Sequence, residues 1–535
     1  MAEDLPIMTE SSETMPPEAP SLGVEHAGRF TRWVLPSIAD LFFLVLVGIL
    51  GFSPMSVALL GDADTGWHIR SGDYILANHS VPRVDLFSYT RVGQPWYAWE
   101  WLYDVGISLI HRVAGLNGVV LFSAVVIAAT FALLFRFVLR RSGSFAIAVG
   151  LTVLAFSAAQ VHMLARPHIL GWLLTLLWVE ALYRYEEGKR SALLWLPSLM
   201  LLWVNVHGGF ILGLVLLAVF GSSRMWTYFF APSVAVLRQI FELAAVLGIC
   251  LVVTLATPYG YQLHVHVYQY LSNTFLMNSI NEFMSPDFHL PGYGYFELFI
   301  LLSVVGAMLA RGRSSTTDLL LILFSIHAGL LAARNIPLAV ILMSLALGPL
   351  LAAIGCSDER RYPSPVASLL DLVHDISGNM GRMEKQFRGH AVVLAVVAIS
   401  IGIALNGGRV LSAKVLSAHF DEKVFPVRAT EFIAAKGIHD HMFNPDYWSG
   451  YLIYKLYPGT KLYFDDRHDF YGEDFIKDYL KATHGDWDWR VPLEKYEVKW
   501  VLIPVHSPLS SLLKESGTWR LEYDDGLATV FSRLP

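Results

Sequence analysis

The feature that most restricts this chain is its succession of long apolar runs. A helix needs roughly 20 predominantly apolar residues to cross a bilayer, and the run from about Ile38 to Leu60, entered past Arg29 and Arg32, meets that length. Similar runs recur near 117–138, 144–164, 167–183, 191–206, 208–222, 238–257, 294–310, 317–332, 335–354 and 390–406. Together they predict a polytopic α-helical membrane protein of about eleven spans and exclude a single water-soluble globule. Composition agrees: 16% of the 535 residues are charged and 54% are hydrophobic, against about 25% charged in soluble domains. A net charge of −6 offers no basic surface for nucleic acid. Two cysteines, Cys250 and Cys356, are too few for a disulfide framework. Residues 1–28, rich in Glu, Pro, Ser and Met without a basic n-region, read as a disordered tail, not a cleaved signal.

Lys and Arg concentrate in the cytoplasmic loops of membrane proteins, so their placement orients the spans. Arg136, Arg140 and Arg141, then Arg184, Lys189 and Arg190, Arg224 and Arg238, Arg311 and Arg313, and finally Arg360, Arg361, Lys385 and Arg388 all fall at alternate span ends. The loop from Gly61 to Gly115 falls at the opposite ends, with Asp62, Asp64, Asp73, Asp85, Glu100 and Asp104 against four arginines and no lysine. An odd span count puts the N-terminus in the cytoplasm and everything after about Asn406 outside. Asn-Val-His-Gly-Gly at 205–209 also fits a break in a re-entrant helix, which would invert everything downstream. From Gly407 the composition becomes that of a soluble α/β domain: a short helix from Arg428 to Lys436 closed by Gly437, strands at Lys461–Phe464 and Lys499–Ile503, and a hairpin from Trp519 to Phe531 turning at Asp525-Gly526. The chain thus divides into the tail 1–28, a transmembrane module 29–406 and an extracytoplasmic α/β domain 407–535, with 355–389 as a cytoplasmic connector.

Ionisable residues at membrane depth are costly and usually functional, and here nearly all fall on the outer side. They are Asp62, Asp64, His68 and Arg70 after span one, Arg166 and His168 at the third turn, and Asn205 and His207 at the fifth. Tyr259, His264 and His266 follow, then Asn281 and Glu282, then Arg334 and Asn335 between spans nine and ten. Structural duties compete for each. An aspartate can cap a helix, but a cap needs one acid, and Asp-Ala-Asp followed by Trp67, His68 and Arg70 puts acid, base and cation together beside lipid. Arg166 and Arg334 can snorkel to headgroups or bind phosphate. His264 and His266 alternate as in a strand, and without a third ligand at recognisable spacing they read as packing. Asp465, Asp466, Arg467 and Asp469 follow the expected strand 461–464 as a solvated turn or an acceptor site. No P-loop, GxSxG, HExxH or CxxC pattern stands in a supporting context.

At Gly61-Asp-Ala-Asp-Thr-Gly-Trp-His-Ile-Arg, Val81-Pro-Arg-Val-Asp and Trp96-Tyr-Ala-Trp-Glu-Trp-Leu, the chain resembles a group of bacterial membrane proteins similar to the GT-C superfamily of glycosyltransferases. That superfamily contains protein O-mannosyltransferases and aminoarabinose transferases. The resemblance continues through Asn205-Val-His-Gly-Gly-Phe, Thr257-Pro-Tyr-Gly, Ala333-Arg-Asn-Ile-Pro, Ser449-Gly-Tyr-Leu and Tyr463-Phe-Asp-Asp-Arg, covering most of the chain outside the tail and the connector. It implies a GT-C-like fold in the cytoplasmic membrane of a bacterium. It also implies a polyprenyl-phosphate sugar donor and an acceptor (protein, lipid or glycan) reached from outside. In the superfamily an aspartate just after span one is the base or holds the reacting centre, a place that Asp62 or Asp64 matches. The Trp-Trp-Asp signature of oligosaccharyl transferases is absent, which argues against N-glycosylation.

Displacing a lipid phosphate from an anomeric carbon creates an oxocarbenium-like centre and an anionic leaving group, so the site needs a carboxylate and a cation. The expected catalytic acids are Asp62, Asp64 and Glu282, with a divalent metal as a further option. Substrate contacts are expected from His68, Arg70, Arg166, His168, His207, Tyr259, Arg334 and Asn335, arginine being suited to phosphate by its two-pronged fork. A secondary transporter or flippase, and a non-catalytic envelope scaffold, are the competing readings. A transporter, however, should carry its ionisable groups near midplane.

Overall fold

The computed structural model describes residues 33–309, 315–355, 376–384, 386–387 and 389–535. The tail 1–28, most of the connector, and Arg311, Arg313, Arg360, Arg361, Lys385 and Arg388 lie outside the described residues. Among the described residues, five helices are long and apolar enough to cross a membrane, and five shorter apolar helices accompany them.

Helix α1 (Ile38–Phe52) opens on a reciprocal cap, in which Ser37 Oγ accepts from the Asp40 N–H and the Asp40 carboxylate from the Ser37 N–H. It stops short of the expected Leu60, and the chain turns into α2 (Asp64–Asn78). The next expected span, 117–138, is part of α3 (Trp101–Ser142), which kinks at Gly115, where φ is 60° and ψ −156°, a conformation that suits only glycine. Then follow α4 (Phe145–Ala159), α5 (His168–Glu186), α6 (Leu196–Val206), α7 (Ile211–Phe230), α8 (Val234–Val253), α9 (Gln262–Ser272), α10 (Gly294–Leu309), α11 (Thr316–Leu331), α12 (Ile336–Gly355) and α13 (His390–Leu405). Helices α3 and α12 form the middle of the module. Phe131, Phe135 and Val138 of the one and Ile341, Leu345 and Leu347 of the other are fully buried, as expected of helices apolar all round.

Ion pairs tie the arginine-bearing helix ends together. Arg140 at the end of α3 meets Glu180 and Glu187 at the end of α5, Arg141 meets Asp318 at the start of α11, and Arg224 of α7 meets Glu186. Arg190, entering α6, pairs with Glu242 of α8 at 3.6 Å. Because α6 starts and α7 ends among these pairs, Asn205–Gly209 is a reversal between two helices and not a break within one.

The C-terminal, strand-containing domain holds α14 (Val427–Lys436), β1 (Met442–Phe443), α15 (Asp446–Leu456), α16 (Glu473–His484), β2 (Trp500–Pro504), β3 (Trp519–Asp524) and β4 (Ala528–Arg533). Gly437, at φ 64°, ends α14 as expected. The sheet order is β1-β2-β4-β3, with β1 parallel to β2 and the other neighbours antiparallel. Asp525-Gly526 makes the hairpin turn, the Asp525 carboxylate accepting from the Leu527 and Ala528 N–H groups. The expected strand Lys461–Phe464 is corrected: Leu462 makes only isolated bridges, and its N–H donates to Phe87 O while its carbonyl accepts from the Tyr89 N–H. That segment's backbone groups are divided between the loop joining α2 to α3 and the Asn444 side chain next to β1. The histidines expected on a strand, His264 and His266, lie on helix α9.

The domain seats on α2 through two glycines. A Cβ on Gly66 would lie 2.1 Å from Gly450 O, and one on Gly450 would lie 2.1 Å from Ala63 O, so α2 and α15 touch backbone to backbone. One turn on, Arg70 Nε donates to Tyr454 O at 2.9 Å.

Candidate active site

Between this seam and the adjacent helix ends lies a cavity of about 1120 Å³. Asp62 starts the acidic wall: its Oδ1 accepts from the Asp64 N–H at 2.8 Å, closing the turn that leads Asp64 into the first position of α2. Arg166 is aimed at both acids by its neighbour, since the Ala165 carbonyl accepts from Thr65 and Tyr103 hydroxyls and its N–H donates to Leu59 O. The guanidinium reaches Asp64 Oδ2 at 2.5 Å, Asp62 Oδ2 at 3.1 Å and Glu282 Oε1 at 3.0 Å. Arg334, in the turn before α12, faces the other Glu282 oxygen at 3.8 Å and lies over the Phe283 ring.

A fourth acid arrives from the C-terminal domain. Asp465 and Asp85, both buried, hold Arg467 between them at 2.7 Å, and Tyr471 donates to Asp465. This clamp presents Asp466 to the cavity, where a carboxylate oxygen from each of Asp62, Asp64 and Asp466 lies within 4.8 Å of the others. Asp466 Oδ1 is buried without a hydrogen-bond partner. Burial and the neighbouring Asp64 charge push the Asp62 carboxyl up to about 6. Burial opposes ionisation of Asp64 as well, but Arg166 overrides it and holds that group at about 2. Asp466 is raised well above the ordinary range, first by burial and then by Asp64.

Of the expected site residues, Asp64, His68, Arg166, His168, His207, Arg334 and Asn335 line the cavity, and Asp62 and Glu282 join through Arg166. His168 donates from Nε2 to His162 O, and His207 Nδ1 accepts from the Gly209 N–H. Asn335 donates to Ala328 O. Arg70 and Tyr259 do not line the cavity. Arg70 is taken up by Tyr454 and Asp73, and the Tyr259 hydroxyl donates to Pro82 O and accepts from the Ala98 N–H. Asn205 is likewise occupied, accepting from Trp101 Nε1 and donating to Leu201 and Ala256 carbonyls. Asp466 and the buried Asp104 behind His68 are site residues to which the sequence reading gave no such place. The first had a signal, the run of acids at 465–469; the second had none.

No family model and no curated protein matches the sequence. The fold, by contrast, is similar to that of the oligosaccharyltransferase of Archaeoglobus fulgidus, solved with a tethered acceptor peptide containing the NVT sequon. The TM-score is 0.54 at 11% identity, covering 88% of this chain and 68% of that one. It is also similar to ArnT from Cupriavidus metallidurans in the apo state, at 0.50 and 14%, covering 92% and 97%. Both are GT-C glycosyltransferases. This chain has the GT-C fold. The GT-C resemblance of the Asp-Ala-Asp region thus coincides with a fold shared over 88–92% of the chain.

Proposed function

We propose that the protein is a membrane glycosyltransferase that moves a sugar from a polyprenyl-phosphate donor to an acceptor on the outer face of a bacterial cytoplasmic membrane. The reading places the N-terminus in the cytoplasm and residues 407–535 outside. The observation that carries it is the meeting of four carboxylates and two arginines in one cluster, with Asp64, Asp466, Arg166 and Arg334 lining a cavity at the ends of apolar helices. In such a transfer the acceptor oxygen bonds to the anomeric carbon while the bond from that carbon to the phosphate oxygen breaks. Carboxylates stabilise the positive charge developing on the sugar, and Arg334 and Arg166 are in place to receive the departing phosphate through paired N–H donors. The apolar wall from Phe324, Leu331, Leu338 and Leu342 suits the polyprenyl chain.

The acid cluster also fits a hard divalent cation. Once ionised, Asp62, Asp64, Asp466 and Glu282 outnumber Arg166 and Arg334 by two charges, and Asp466 Oδ1 lacks a partner. Asp62, Asp64 and Asp466 would hold such an ion, which when bound would supply positive charge near the leaving phosphate.

The test is release of free polyprenyl phosphate from a radiolabelled polyprenyl-phosphate sugar by purified protein in nanodiscs. Release by the wild type that is lost in Asp64→Asn supports the reading; no release with any of a panel of hexose and pentose donors overturns it. Reporters fused after Ser314 and at Pro535 test sidedness, with cytoplasmic and external signals expected. A cytoplasmic Pro535 reporter would reverse the placement.

A further inference from the structure

Behind the acid cluster lies a second arrangement of acid and base. Positions 68, 71 and 72 of α2 share one face, at i, i+3 and i+4, with Asp64 one turn earlier on the same stripe. Against this face sits the first turn of α3, which approaches so closely that a Cβ on Gly72 would lie 2.0 Å from Asp104 O. The approach brings Asp104 Oδ1 to 2.6 Å from His68 Nδ1, while Ser71 Oγ donates to Asp104 Oδ2 at 2.7 Å. Asp104 and Ser71 are fully buried, and His68 is 2% exposed and lines the cavity. The imidazole is fixed on both sides, stacked on Trp67 at 3.7 Å and edge-on to Tyr103.

Among the described residues no lysine or arginine pairs with Asp104, so a buried carboxylate has only a histidine and a serine to satisfy it. A carboxylate accepting from Nδ1–H fixes the tautomer that leaves the Nε2 lone pair free, and it balances the ring once Nε2 takes a proton. His68 Nε2 has no hydrogen bond to any described residue. Asp62 and Asp64, by contrast, already spend oxygens on Arg166.

Resting on the glycosyl-transfer reading above, we propose that His68 Nε2 accepts the proton of the acceptor hydroxyl, with Asp104 as the positioning residue that fixes and balances the imidazole. As the acceptor oxygen joins the anomeric carbon, its proton passes to Nε2. The bond from the anomeric carbon to the phosphate oxygen breaks with its electron pair on that oxygen, and the proton then passes from Nε2 to the departing phosphate, restoring neutral His68. Asp62, Asp64 and Asp466 are left to handle charge.

His68→Asn keeps an N–H for Asp104 but has no Nε2. Turnover is expected to fall about 100- to 10,000-fold with the donor KM little changed, and added imidazole should restore part of it. Asp104→Asn should also lower kcat and not KM, and in a His68→Asn background it should cost nothing further, because the two act as one unit. A His68→Asn enzyme with near-wild-type turnover, or an Asp104→Asn loss that persists undiminished in that background, overturns the proposal. A readout independent of activity is the ¹⁵N spectrum of ring-labelled histidine in nanodiscs, assigned by loss of the His68 signal in His68→Asn. A neutral ring protonated at Nδ1 is expected, and one protonated at Nε2 overturns the dyad even if the protein transfers no sugar. Absence of transfer with every donor overturns the transferase reading and the proton role with it, while the tautomer result stands by itself.

Discussion

The two ends of the helical module assemble charge in opposite ways. At the arginine-bearing end, Glu180, Glu186, Glu187 and Asp318 meet Arg140, Arg141, Arg184 and Arg224, one cation for each acid, and Tyr183 and Thr317 hydroxyls donate to the same Asp318 and Glu186 oxygens that the arginines reach. None of these residues lines the cavity. At the cavity end four carboxylates share two arginines, and an Asp466 oxygen is left without a partner. A charge-balanced ion-pair set, even with Arg224 Nε left without a partner, holds helices in register, whereas surplus charge facing a void costs stability and persists where a ligand repays it.

Breaking the closed end should have the largest effect on folding. Asp318→Asn strips Arg141, whose side chain is only 10% exposed, of its buried charge partner and should destabilise the protein by about 3–5 kcal/mol, visible as a lower melting temperature, with little change in donor KM. If the variant melts like wild type, the clasp is ornamental and the contrast between the ends collapses. At the cavity end Asp64→Asn should leave melting near wild type and lower transfer about 100- to 1000-fold, the scale of losing one preorganised electrostatic group. A loss of folding instead would make the two ends alike.

Titration sharpens the same contrast. Asp62 holds its proton up to about pH 6, and burial together with the Asp64 charge raises Asp466 well above the ordinary carboxylate range. A divalent ion must displace those protons, so Mn²⁺ affinity measured by calorimetry should fall as pH drops below 6, by up to about tenfold per unit for each competing proton. Flat affinity between pH 5 and 8 would place the ion elsewhere. The smallest effect is expected of Arg334→Lys, where a point charge replaces a fork: donor KM should rise by up to about tenfold with kcat nearly unchanged. An unaltered KM would return Arg334 to its stacking on Phe283.

Much of this contrast is legible in the sequence. Apolar run length predicts most of the helices, and the alternation of arginine ends anticipates which helix termini meet, because both depend on local composition. The acids after span one, with Arg166, Glu282 and Arg334, stand out because charge beside lipid is rare. What escapes notice is non-local. Asp104 sits in what reads as a loop, and its pairing with His68 depends on Gly72 admitting a second helix. Asp466 reaches the cluster only because Asp85, in another part of the chain, anchors Arg467. Segment 461–464 has strand-like residues, but it makes only single bridges, one to the loop through Ser88 and one to β1 through Met442. His264 and His266 alternate by two, a spacing that a strand and a helix surface both allow.

The contact of Gly66 with Gly450 bears on how such a protein can be re-engineered. Because two backbones touch there with no side chain between them, a C-terminal domain taken from another chain would fit this helical module only if it brought a residue without a Cβ at the same point and met one on α2. An exchange of C-terminal domains must therefore carry the residues around 63–70 together with those around 446–467. The transplantable piece is that joint, with Asp64 on one side of it and Asp466 on the other.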